Sequence, residues 1–357
     1  MGIPEMRRNQ WLLLVLIWCG TVTFGADLDA SCINPDGLPG RCVSIRECGP
    51  LMKIYRKGLI TPLESKFIEK SQCGVSAEKG ALVCCASMLP QPPNCGADMS
   101  NRIFGGQKTA LDEFPWLALI NYRYENGSTK FHCGASLINS RYVVTAAHCV
   151  EDHAHQKPFS VRLGEWDVNQ DIDCDEDDGE TCADAPLDVD IEKIIIHEGY
   201  HPRDASSYND IALIRLTQDV QMSAYISPVC LPVKDSQRTR IIVGTKAYAA
   251  GWGRTESGAN SNVKLKVQLV VNDLQSCSNG YRPRGVVLRD TQLCAGGMRG
   301  QDTCSGDSGG PLTKLDKASN YLYGIVSFGS SKCGVKDFPG IYTAVSKYVD
   351  WIESHLE

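Results

Sequence analysis

The 357-residue chain lacks any apolar run long enough to span a bilayer. Its most hydrophobic stretch, Trp11 to Trp18, is wholly apolar but falls well short of the roughly 20 residues a membrane helix needs. That argues against a membrane anchor. The chain also has no pair of CxxC knuckles and no cluster of Cys and His ligands, so structural zinc is not expected. Nor is there an excess of basic residues: the formal charge is −6 at pH 7, which argues against nucleic acid or an anionic membrane as partner. What the N-terminus does carry is basic Arg7 and Arg8, the short apolar run, and small Thr23 and Gly25. This is the pattern of a secretory signal peptide over residues 1–25, with a mature start near Ala26. Its removal takes one acid, Glu5, and two bases, leaving −7.

Cysteine is abundant instead. Of 17 cysteines, Cys19 leaves with the signal and 16 remain, enough for eight disulfides in an oxidising compartment. Six of them crowd into the 54 residues from Cys32 to Cys85, a stretch too small to be held by apolar burial alone. Pro35-Asp36-Gly37 and Pro39-Gly40 punctuate turns there, and adjacent Cys84 and Cys85 must each reach a distant partner. A compact, loop-rich knot is expected over 32–85. Residues 86–102 carry Pro90, Pro92 and Pro93 without apolar periodicity and read as a semi-extended linker. From 103 to 357, short alternating runs such as Trp116, Ala118, Ile120, Tyr122 and Tyr124 predict antiparallel strands. Only the end looks helical, with Val345, Val349, Ile352 and Leu356 at helical spacing.

Three segments supply the parts for splitting a peptide bond: a nucleophile, a base and oxyanion donors. Gly306-Asp307-Ser308-Gly309-Gly310 sets a serine in a sharp, glycine-rich turn that aims backbone N–H groups at a carbonyl. Thr145-Ala146-Ala147-His148-Cys149 places a histidine among small residues beside a cysteine, so the imidazole is rigid yet reachable. Asn209-Asp210-Ile211-Ala212-Leu213 puts a carboxylate at the head of an apolar strand, where it can set the tautomer of an imidazole. Ser308, His148 and Asp210 are the candidate nucleophile, base and orienting acid. With TAAHC, DIAL and GDSGGP in that order, the chain from Ile103 onward resembles the chymotrypsin family.

The resemblance implies an all-β fold of two six-stranded barrels with the triad between them and a C-terminal helix. It implies an oxyanion hole from the N–H groups of Gly306 and Ser308. Asp302 matches the base of the specificity pocket, with Gly329 and Gly340 as its walls, so Arg or Lys is expected before the cut. A carboxylate at the bottom of a narrow slot stays unpaired unless the substrate brings a cation. Pro339 stands where sodium-activated relatives carry an aromatic residue, and no sodium dependence is expected. Arg102-Ile103-Phe104-Gly105-Gly106 matches the activation site. Cutting after Arg102 frees the amino group of Ile103 to pair with Asp307, and the activator must itself be trypsin-like. The pairings implied are Cys133–Cys149, Cys277–Cys294, Cys304–Cys333 and Cys174–Cys182, with Cys95–Cys230 tying the N-terminal piece to the cleaved protease.

The N-terminal knot resembles a clip domain, which implies Cys32–Cys84, Cys42–Cys73 and Cys48–Cys85. Clip domains joined to trypsin-like proteases belong to arthropod extracellular cascades that drive Toll signalling or activate prophenoloxidase for melanisation. The resemblance therefore implies a secreted haemolymph zymogen with an upstream activating protease. Its substrate would be a protein, either a downstream zymogen, prophenoloxidase or a cytokine precursor, and a serpin would control it. From residues alone the knot is equally a stabilising cap. Eight acidic residues lie between Asp171 and Asp184. Related clip proteases bind calcium in this loop, which carries over to Glu165, Asp167, Asp173 and a carbonyl of Gln170; the other reading is a solvated acidic loop. Catalysis itself needs no cofactor. Asn126-Gly127-Ser128 is the one glycosylation sequon. The rival functions are a catalytically silent scaffold, which the intact triad and Asp302 disfavour, and a digestive trypsin, which the knot and tether disfavour. Embryonic patterning uses the same architecture as immunity.

Overall fold

The computed structural model describes residues 28–76, 78–97, 107–151, 156–175, 179–254, 260–297, 307–329 and 338–356. The expected signal peptide, Arg102, Ile103, Asp302, Gly306 and the expected Cys304–Cys333 pair lie outside the described residues. No helix among the described residues is long and apolar enough to cross a membrane. The chain divides into two compact units, one up to Met88 together with the residues from Asp350 on, the other from Leu89 to Val349.

In the smaller unit β1 (Ser31–Ile33), β2 (Pro39–Ser44), β3 (Gln72–Ser76) and β4 (Gly80–Ala86) form one antiparallel sheet in the order β1-β2-β4-β3. Successive residues of a strand point to opposite faces, so adjacent Cys84 and Cys85 in β4 reach different partners, Cys32 and Cys48. Cys42–Cys73 completes the set. The expectation of a loop-rich knot is corrected by two helices, Gly49–Arg56 and Pro62–Lys70. The second starts where Thr61 Oγ1 accepts from Glu64 N at 3.2 Å and Glu64 Oε2 accepts from Thr61 N at 2.9 Å, with Pro62 in the first turn. Ile54, Phe67 and Ile68 pack on Val43, Cys48, Leu51 and Val83, giving the unit a small core behind its disulfides. Buried Arg41 pairs with Asp29 at 2.6 Å and with Glu353 at 3.4 Å.

The larger unit holds two barrels. After β5 (Gln107–Lys108) come β6 (Leu117–Tyr124), β7 (Thr129–Leu137), β8 (Tyr142–Thr145), β9 (Gln156–Leu163), β10 (Leu187–Ile196) and β11 (Ala212–Leu216). They close in the order β10-β11-β8-β7-β6-β9. The second sheet uses β12 (Lys246–Gly251), β13 (Leu265–Asn272), β14 (Gln292–Ala295), β15 (Pro311–Asp316), β16 (Ser319–Phe328) and β17 (Gly340–Ala344). Its order is β12-β15-β16-β17-β14-β13, the pairing of β12 with β13 closes it, and β5 adds to the outer edge of β13.

The C-terminal stripe forms a 3₁₀ turn, Val345–Lys347, and a helix, Val349–His355, with Val345, Val349 and Ile352 fully buried. It is not the only helix after residue 103. Leu274–Tyr281 is a second, where Asp273 Oδ2 accepts from Ser276 N at 2.9 Å and Cys277 is bonded to Cys294. Part of the expected linker is packed rather than free: Leu89 and Cys95 are buried, and Cys95 is bonded to Cys230. Gly96 donates to Pro228 O at 2.8 Å and accepts from Asn320 N at 2.9 Å, and at φ +67° it has no room for a Cβ. Replacing Cys42 and Cys73 by Ala is expected to destabilise the small unit by about 2–5 kcal/mol. Amide exchange would show this as faster exchange in β2 and β4 with unchanged exchange in β6 to β11.

Candidate active site

His148 lies on a single helical turn, Ala147–Val150, directly after β8. Cys149 bonds it to Cys133 in β7. Asp210 enters at the head of β11 after Asn209, whose φ of +57° lies in the left-handed region that Asn tolerates. The Asn209 amide donates to Gly199 O at 2.8 Å and accepts from the Tyr348 hydroxyl at 2.9 Å, which holds that turn. Asp210 is 1% exposed. A buried carboxylate must be fully hydrogen-bonded, and this one is: Oδ1 accepts from His148 N at 3.0 Å, and Oδ2 faces His148 Nδ1 at 2.8 Å and accepts from the Ser327 hydroxyl. The Thr343 hydroxyl donates to the backbone carbonyl of Asp210 at 2.7 Å. Ser327 and Thr343 belong to β16 and β17 of the second barrel, and neither was signalled by sequence spacing.

Burial by itself pulls the His148 imidazole down, but its hydrogen bond to Asp210 and the Asp210 charge, aided by Glu151, hold it above the usual histidine value. Burial likewise opposes ionisation of Asp210, yet His148 and the Ser327 hydrogen bond hold that carboxyl below the usual range.

Ser308 stands in the turn Asp307–Gly310 before β15. Its carbonyl accepts from Gly134 N at 2.8 Å, one residue past Cys133 in β7, so the turn is laid against the strand whose disulfide leads to His148. Gly309, at φ +76°, leaves no room for a Cβ between Thr145 Oγ1 and Gly134 O. The Asp307 carboxylate accepts from Gly253 N at 2.9 Å, and a Cβ on Gly251 or Gly253 would overlap it. Those two glycines are part of the site and were not picked out from the sequence. A Cβ on Gly329 would lie 3.7 Å from Gly340 Cα, so the two glycines expected as pocket walls are contacting neighbours on the paired ends of β16 and β17 and line one side of the pocket rather than facing across it.

The acidic loop is closed by Cys174–Cys182. Glu165 and Asp173 are buried, and burial raises both carboxyls above their usual range. Glu165 accepts from Trp166 N at 2.9 Å and pairs with Arg162 at 3.2 Å. Asp173 Oδ2 accepts from Asp167 N at 3.1 Å, while its buried Oδ1 has no hydrogen-bond partner. Asp167 Oδ2 accepts from the Gln170 side-chain amide at 3.1 Å. An orphaned buried carboxylate oxygen among hard oxygen donors fits a calcium ion. Asn126 is exposed in the turn between β6 and β7, its Oδ1 accepting from Ser128 Oγ at 2.7 Å.

The trypsin family model matches residues 103–352, and that of the regulatory CLIP domain of proteinases matches 32–85. The chain belongs to the clip-domain serine proteases. This protease is 48% identical over 356 residues to CLIP domain-containing serine protease B4 of Anopheles gambiae, covering 98% of each chain. It is 38% identical to phenoloxidase-activating factor 3 of Holotrichia diomphalia, covering 97% of this chain and 99% of that one. It superposes on the crystal structure of Drosophila Grass, a clip serine protease of the Toll pathway, with a TM-score of 0.66 and 33% identity over 92% of this chain and 97% of that one. It is a serine endopeptidase of all-β, double-barrel fold with a disulfide-rich clip domain.

A base must be neutral to accept a proton, and the raised imidazole stays charged to higher pH. Measured on the active enzyme, kcat/KM is therefore expected to rise with pH along a limb centred above 6.5, the ordinary histidine value. Asp210→Asn should lower that midpoint and cut the rate by orders of magnitude, and Ser327→Ala should cost about tenfold.

Proposed function

We propose that this protease is a secreted zymogen that cleaves protein substrates after Arg or Lys and is switched on by a cut between Arg102 and Ile103. The observation that carries the catalytic assignment is the buried Asp210 bonded through both oxygens to His148, with Ser308 docked on the strand that the His148 disulfide reaches. In this reading His148 Nε2 takes the Ser308 hydroxyl proton as Oγ attacks the scissile carbonyl, then delivers it to the leaving amine. Asp210 keeps the remaining proton on Nδ1 and stabilises the imidazolium. The N–H groups of Gly306 and Ser308 receive the oxyanion, and Asp302, in a pocket that Gly329 and Gly340 line, receives the substrate cation. The new Ile103 ammonium pairs with Asp307, whose carboxylate is already seated between Gly251 and Gly253. Cys95–Cys230 keeps the clip attached after the cut.

The clip domain docks the protease to its partners in an extracellular haemolymph cascade. Its activator is an upstream trypsin-like protease, its substrate a downstream zymogen, prophenoloxidase or a cytokine precursor, and its regulator a serpin. Similarity to a phenoloxidase-activating factor and to a Toll-pathway protease supports melanisation or Toll activation. Asn126, exposed on its turn, is the position open to a glycan.

Hydrolysis of arginyl and phenylalanyl peptides before and after specific cleavage at Arg102 tests the switch. Activity on arginine alone, only after the cut and absent in Ser308→Ala, is expected; silence of correctly cut, folded protein would leave a scaffold role. On non-reducing gels the cut protein should stay one species and separate into two on reduction.

Calcium, when bound, supplies a hard cation that neutralises the acidic loop. Glu165, Asp167, Asp173 and the Gln170 carbonyl would hold it. Added calcium is expected to raise Tm in the wild type and not in Asp173→Asn; an equal response in both would exclude this site.

A further inference from the structure

Two surface loops beside the site are locked together. Val287 N donates to Ser206 Oγ at 3.1 Å, the Gln292 side-chain amide donates to Ser206 O at 2.8 Å, and the Tyr208 hydroxyl donates to Val287 O. Ser206 and Tyr208 lie just ahead of Asp210, so the segment 282–289 is fixed against the loop that carries the orienting carboxylate.

This segment is strongly cationic. Arg282, Arg284 and Arg289 are all exposed, and none has a carboxylate partner among the described residues. Two of them are not free to wave in solvent. The Arg289 guanidinium lies 3.7 Å from the centroid of the Tyr208 ring, and that of Arg284 lies 3.8 Å from the centroid of Phe338. Phe338 and Phe328 flank Tyr281 at 4.5 and 5.8 Å between ring centroids. Phe328 directly precedes Gly329 and Phe338 lies two residues before Gly340, the two contacting glycines of the expected pocket. Stacking fixes each guanidinium by its face and leaves its N–H edge available for a hydrogen-bonding anion.

We propose that Arg282, Arg284 and Arg289 form a specificity surface for acidic side chains on the acyl side of the cleaved bond, three to five residues before it. A peptide whose arginine lies along Gly329 at the end of β16 leads its preceding residues across the aromatic rim of Phe328, Tyr281 and Phe338, on which Arg284 is stacked, with Arg282 and Arg289 in the same exposed segment. A carboxylate arriving at a stacked guanidinium meets a pre-positioned fork and loses little side-chain freedom on the protein side. A lysine arriving there meets like charge. The inference rests on the reading of this cleft as the peptide-cleaving site.

The test uses the full-length protein cut at Arg102 and two peptides identical from the arginine onward. One carries Asp or Glu three to five residues before the cut, the other Lys. The expected ratio of kcat/KM, acidic over basic, is about tenfold at low ionic strength, as for three partly screened charge contacts. It should shrink toward unity in about 0.5 M salt, and in the Arg282→Gln, Arg284→Gln, Arg289→Gln protein. Arg289→Lys, which keeps the charge, should retain most of the preference. The ratio is the readout, so a uniform loss of activity that leaves it unchanged would overturn the proposal, as would equal cleavage of both peptides by the wild type. Cleavage of neither peptide, nor of a minimal arginyl amide, would bring down the catalytic reading on which it rests.

Discussion

The two barrels meet on one buried charge. Asp210 heads β11 of the first barrel, and its carboxylate and carbonyl take hydrogen bonds from Ser327 and Thr343 in β16 and β17 of the second. A carboxylate 1% exposed is costly to bury unless every oxygen is satisfied. The donors that satisfy it come from both halves, so the seam between the barrels and the orientation of His148 are set by the same contact. A displacement of the second barrel would remove donors from the acid and loosen the base together.

Around that seam, backbone approaches closer than any side chain allows. Gly309 meets Thr145 and Gly134, and Gly251 and Gly253 meet the Asp307 carboxylate. The nucleophile turn is thereby pinned from the first barrel on one side, and its acid from the second on the other. Disulfides extend the same logic outward: Cys133–Cys149 ties His148 to the strand that supports Ser308, and Cys95–Cys230 fastens the linker segment to the barrels. In the clip unit three disulfides and a small apolar cluster share the task that a larger core performs elsewhere.

Much of this was legible from residues. The strands from Trp116 onward showed period-two alternation, and the three triad segments stood out because small and apolar neighbours around a Ser, a His and an Asp are what nucleophilic catalysis requires. The clip helices were not legible: Gly49–Arg56 and Pro62–Lys70 are each about two turns long, too short for periodicity to register; packing holds both, and a capping box starts the second. Leu274–Tyr281 was missed for the same reason. The packed part of the linker escaped notice because its partners, Cys230 for Cys95 and Pro228 and Asn320 for Gly96, lie more than a hundred positions along the chain.

By itself the sequence determined the chemistry, the order of the parts and the expectation of an oxidising compartment, because residue types and short spacings carry those directly. Only the tertiary structure decided that Ser327 and Thr343 complete the acid, that Gly251 and Gly253 make room for Asp307, and that arginines of one loop stack on aromatic rings of others. These are contacts between residues tens to more than a hundred positions apart. No local pattern encodes them; they exist only once the barrels close and hydrogen-bond geometry selects which distant groups meet.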